Sequence, residues 1–175
     1  MKKILFIGIL ALACSFANAQ VKNSIKVNPF GFFWGNDLIT YERALGTSSS
    51  FVIGGSFGSI SAGDYKYTNY GAEAQYRYYF SGEALRKFYL APFASYKGGE
   101  VKAGDDKATS SGFGVGGRAG YQWVWNSGFT LDLNIGVGYK SIKYKWDSPE
   151  QEAKHDDVKG SGIMPVAAIA LGYSF

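Results

Sequence analysis

The sequence predicts an all-β protein, an eight-stranded antiparallel up-and-down transmembrane β-barrel of the outer-membrane type, preceded by a cleaved signal peptide. Three observations carry this. Segment after segment alternates apolar with polar or small residues, the period-two pattern of a strand that is apolar on one face. Aromatic residues reach 17% beside 24 glycines, a composition suited to interfacial aromatic girdles on a tightly curved wall. The final stretch sets Phe175, Tyr173, Leu171, Ile169, Ala167, Pro165 and Ile163 on one face and the smaller Ser174, Gly172, Ala170 and Ala168 on the other.

The two ends fit export. Lys2 and Lys3 open the chain, residues 4–13 are apolar but too few to span a bilayer, and Ala17-Asn18-Ala19 has the small-x-small pattern. Cleavage is expected before Gln20, giving a signal peptide over 1–19 and one barrel domain over 20–175. Cys14 is a competing acylation site, but Ala11 stands where a lipoprotein motif has Leu. With Cys14 removed, the domain has no disulfide and no thiol nucleophile or ligand. Leu171, Tyr173 and Phe175 form an aromatic C-terminal signature similar to the one by which bacterial barrels address their insertion machinery.

Composition excludes other classes. A mean hydropathy of −0.09, with no run of about 18 apolar residues after residue 20, leaves no helical span. The net charge of +4 falls by two when Lys2 and Lys3 leave, too weak a surplus to imply nucleic acid.

Strands are expected near 23–34, 37–45, 51–62, 68–80, 88–98, 111–125, 129–144 and 160–175. The seventh is the clearest, with Phe129, Leu131, Leu133, Ile135, Val137 and Tyr139 alternating with Thr130, Asp132, Asn134, Gly136 and Gly138. In the fourth, Tyr70, Ala72, Ala74, Tyr76, Tyr78 and Phe80 share one parity against Asn69, Glu73, Gln75 and Arg77. In the sixth, Phe113, Val115, Ala119, Tyr121, Trp123 and Trp125 oppose Arg118, Gln122 and several glycines. The connections 46–49, 81–87 and 126–128 are short, as periplasmic turns are. Those at 99–110 and 145–159 are longer and charged, as extracellular loops are, while the first, around Gly35-Asn36, is short.

With the apolar parity facing lipid, the polar parity is enclosed, and Glu42 and Asp132 join it. An isolated charge away from water is costly and Arg bonds carboxylates bidentately, so Glu42, Glu73, Arg77, Arg118 and Asp132 are expected to pair as a luminal charge cluster with a structural role. Pro29, Pro92 and Pro165 fall inside strands of a wall without free edges, so they should mark bulges or strand ends. Gly112-x-Gly114-x-x-Gly117 matches a dinucleotide fingerprint only formally, since no amphipathic helix follows it.

No catalytic residues, cofactor or metal are expected. Small barrels that modify lipid A pair a His with a Ser or an acidic residue at the membrane edge. The single His155 lies in a charged loop segment with Asp157 two positions on. Asp147, Glu150, Glu152, Asp156 and Asp157 match no calcium-loop spacing.

Lys26-Val-Asn-Pro29, Tyr41-Glu-Arg-Ala-Leu45, Glu73 with Tyr76-Arg-Tyr-Tyr79, and Phe88-Tyr-Leu-Ala-Pro-Phe93 resemble a family of exported Gram-negative barrels classed as a domain of unknown function. The plan is also similar to the OmpX and OmpA-transmembrane barrels. That resemblance implies an outer-membrane protein with exposed loops, and it transfers no catalytic residue.

The expected role is structural or surface-interacting, in a monomer that contacts outer-membrane lipid, the insertion machinery and, through loops at 63–69, 99–110 and 145–159, an external partner. A narrow channel or carrier for small molecules is the alternative, ahead of a lipid A-modifying enzyme. A soluble lipocalin-like binder would instead enclose the apolar row and expose Arg118 and Asp132.

Overall fold

The computed structural model describes residues 21–31, 37–63, 65–103, 106–146 and 159–175. The expected cleavage site, Ala17, Ala19 and Gln20, and the His155 segment lie outside the described residues. Eight strands follow one another in chain order: β1 (Asn23–Val27), β2 (Ile39–Ala44), β3 (Ser49–Ala62), β4 (Tyr65–Tyr79), β5 (Lys87–Ala103), β6 (Asp106–Val124), β7 (Phe129–Trp146) and β8 (Lys159–Ser174). Each pairs antiparallel with the next, and β8 returns to β1 through Ser24↔Ser174 to Val27↔Leu171, closing a barrel.

The wall has its apolar row outside. Ile135 is 66% exposed while Arg118 is 4% exposed, the reverse of a barrel that encloses a hydrophobic core. Two aromatic belts ring this outer face. At the end bearing the turns, Tyr78 contacts Phe80 and Phe80 contacts Phe88, at ring separations of 5.3 and 5.6 Å, with Tyr121–Trp123 and Trp125–Phe129 at 4.4 and 5.2 Å. Toward the other end stand Tyr70, Tyr96, Phe113 and Tyr139, with Tyr96 directly opposite Phe113. Tyr70 and Tyr78 are eight residues apart on one strand, which at a tilt of roughly 40° separates the belts by about 20 Å, close to the ~25 Å apolar band of membrane barrels.

Strand lengths depart from the sequence expectation in two places. β4, β5, β6 and β7 run beyond the outer belt, so that β3–β4 and β5–β6 meet across short turns and the expected loops at 63–69 and 99–110 are mostly ladder. Past the apolar band both faces are wet, and an alternating pattern is no longer needed to hold a strand. Conversely, β1 stops at Val27, and Asn28 N–H donates to the Leu38 carbonyl just before Pro29, which has no N–H to continue. Among the described residues, β1 and β2 are both shorter than expected.

Pro29 follows the end of β1, and Pro92 and Pro165 sit in ladders that keep their register, so neither marks a bulge. Pro92 pairs with Gly117 on β6, while the β4–β5 ladder skips from Gln75↔Phe93 to Tyr78↔Leu90 without changing register. Pro165 pairs with Val137 of β7 and lies beyond the last β1–β8 pair among the described residues, Val27↔Leu171.

Candidate functional site

The lumen at the turn end is filled by a charge network built on β1, β2, β4, β6 and β7. Lys26 Nζ donates to Glu42 Oε2 at 2.5 Å, Gln122 Oε1 at 2.7 Å and Asp132 Oδ2 at 2.8 Å, using all three protons of an ammonium. Arg77 Nη1 donates to Asp132 Oδ2 at 2.6 Å, Gln122 Oε1 at 3.1 Å and Glu42 Oε2 at 3.3 Å. The other oxygen of Glu42 accepts from Ser50 and Tyr79, and the other oxygen of Asp132 accepts from Tyr89 at 2.7 Å and Asn134 at 3.4 Å. All four carboxylate oxygens thus hold two donors each. Two cations meet two anions in a site closed to solvent, the condition under which buried ion pairs are tolerated.

A second layer lies above. Arg118 Nη2 donates to Glu73 Oε2 at 2.8 Å and its Nη1 to Asn134 Oδ1 at 3.0 Å. Gln75 joins the layers, accepting from Arg77 Nε at 3.0 Å and donating to Glu73 Oε1 at 2.8 Å. The void between the layers measures about 20 Å³, room for about one water.

Aromatic rings brace the cations. The Arg77 guanidinium sits 4.2 Å from the Tyr89 ring centroid and that of Arg118 4.7 Å from Phe93. Glycine makes this possible, because a Cβ on Gly120 would strike the Tyr89 ring and one on Gly116 would strike Phe93 and the β7 backbone. The two glycines that clear room for the rings, Gly116 and Gly120, are not among the glycines of the formal dinucleotide pattern. Below the network the β4–β5 turn folds inward. Leu85, fully buried at φ 69°, closes the lumen, and its carbonyl accepts from Gln122 Nε2 at 2.9 Å. A leucine in the left-handed region is strained, and burial of its side chain offsets that cost.

Above the second layer the lumen widens into a cup of about 240 Å³, lined among others by Tyr67, Asn69, Lys97, Ser110, Lys140 and Ile142. Among the described residues no three His, Cys, Asp or Glu side chains group as a metal site.

The structure encloses all five residues of the anticipated cluster and divides them, Glu42, Arg77 and Asp132 below and Glu73 with Arg118 above. Sequence reasoning missed Lys26, the hub of the lower layer, although Ser24, Lys26 and Asn28 alternate with Ile25 and Val27. It also missed the enclosed Tyr79 and Tyr89. They share parity with Arg77 and Ala91, but aromatic rings suggested the girdles. Leu171 and Tyr173 lie on the outer face, and the Phe175 carbonyl accepts from the backbone of Lys22 and Asn23.

Residues 5–175 match the family described as protein of unknown function (DUF3575). The chain belongs to this family. No curated protein and no solved structure matches it.

Proposed function

We propose that this DUF3575 member is a monomeric outer-membrane barrel of the OmpX and OmpA-transmembrane kind, delivered by a signal peptide and the barrel-insertion machinery. Its role is structural or surface-interacting, not enzymatic. One observation carries the reading: a buried, hydrogen-bonded ionic network stands inside an exterior that is apolar between two aromatic belts. Water would make that exterior a large exposed hydrophobic patch, whereas a bilayer makes it the favoured face. The same interior removes support from the channel alternative, since an eight-stranded wall filled by its own side chains leaves no path.

The test is fractionation of the expressed protein together with its gel mobility before and after boiling. Recovery with outer membranes and faster migration unheated are expected. A carbonate-soluble protein whose mobility ignores heating refutes the reading.

A further inference from the structure

Beyond the outer aromatic belt, the outward face of the protruding strands is basic. Lys66 on β4 stands directly opposite Lys102 on β5, and Lys102 directly opposite Lys107 on β6. All three share the parity of Tyr70, Tyr96 and Phe113, so they point away from the lumen. Lys143 and Lys145 continue the collar on the outer parity of β7, and Lys143 pairs in register with Lys159 of β8. Glu100 lies among them, 3.3 Å from Lys102 and 3.2 Å from Lys107.

Like charges directly opposite across an antiparallel ladder are destabilising, and an anion seated between them relieves that repulsion. The row is also placed with respect to the belt. Below it the outward residues of β4 are Thr68, Tyr70, Ala72, Ala74, Tyr76 and Tyr78, without a charge. Lys66 lies four residues beyond Tyr70, which at the wall's tilt is about 10 Å above the belt, within reach of the polar layer for a side chain that extends its stem along the wall. Neighbouring strands lie about 4.8 Å apart, so the three lysines step round the wall at that backbone interval, within reach of one phosphate seated between two of them.

We propose that this collar binds the phosphate groups of the phosphorylated glycolipid in the outer leaflet, a proposal that rests on the outer-membrane reading above. The lysines face the surrounding lipid and not the cup at the mouth, so the anion they meet is carried by the membrane.

The test is native mass spectrometry of the refolded mature barrel with diphosphoryl lipid A, and with the same lipid stripped of both phosphates. The diphosphoryl lipid is expected to stay bound and the stripped one to leave. Replacing Lys66, Lys102 and Lys107 together by Gln should weaken retention about a hundredfold, at roughly fivefold per lysine, and Glu100→Gln should strengthen it. Arg43→Gln with Arg86→Gln, at the turn end, should change it little. Each variant is first checked for the heat-dependent gel shift. A folded triple variant that retains the lipid, equal retention of the stripped lipid, or an equal loss from the turn-end pair overturns the collar and leaves the membrane reading standing. A wild-type chain that enters no vesicle, whatever its lipid composition, overturns both.

Discussion

Arg77→Met tests whether the luminal network is what holds the wall together. The substitution keeps much of the side-chain volume but removes four hydrogen bonds, to Gln75, Glu42, Gln122 and Asp132, and two ion pairs. Glu42 and Asp132 are then left with Lys26 as the cation of the lower layer. Removing one partner from a buried ion pair costs about 3–5 kcal/mol, because a desolvated charge is stranded. At a urea slope of about 2 kcal/mol per M, the unfolding midpoint should fall by about 2 M. The readout is emission from the four tryptophans, Trp123 and Trp125 of the outer face among them, during urea unfolding of the barrel in lipid vesicles. Adding Asp132→Asn restores charge balance around Lys26 and Glu42, so the double variant should recover about 1–3 kcal/mol of the loss. An Arg77→Met barrel within about 1 kcal/mol of wild type, or a double variant whose costs simply add, refutes the network as the stabilising element.

The glycines of the wall should separate by what a methyl group would meet. Gly136→Ala drives a Cβ into the Gly117 backbone and should cost more than about 2 kcal/mol, while Gly117→Ala meets nothing and should stay within about 0.5 kcal/mol in the same urea assay. Purified protein in a planar bilayer should show no stepwise conductance, since the layers enclose only about 20 Å³; reproducible channel steps would refute the filled lumen. In hydrogen exchange, amides of β1 and β2 should exchange well before those of β5, β6 and β7, whose ladders run the length of the wall. Uniform protection around the ring would contradict this.

Much of the fold was legible because a two-residue period encodes one apolar environment. From Phe129 to Tyr139 each odd residue meets the outside and each even residue the lumen, and no tertiary knowledge is needed to sort them. The same rule sorted Glu73 from Tyr76 and Arg118 from Trp123. It failed where the environment changed. Gly99 to Ser110 reads as a loop because its glycines and charges show no apolar face, yet the backbone keeps its ladder there with water on both sides. Lys26 was hidden by the brevity of β1, and Tyr79 and Tyr89 by a chemical ambiguity, since a phenol suits a membrane interface as well as a buried carboxylate. No local pattern announces that the hydroxyls of Tyr79 and Ser50, from different strands, converge on one oxygen of Glu42.

The closing joint between β1 and β8 has a kinetic consequence. Every other joint links strands adjacent in the chain, whereas the bond from Asn23 Nδ2 to the Phe175 carbonyl spans 152 positions. Bringing such distant segments together costs about 4 kcal/mol in loop-closure entropy, against a short joint of four residue pairs among the described residues. Assembly is therefore expected to zip from hairpin to hairpin into an open ribbon first, with ring closure as the slow event. While it waits, the ribbon carries two bare edges, and that interval is when chains are most prone to join one another edge to edge.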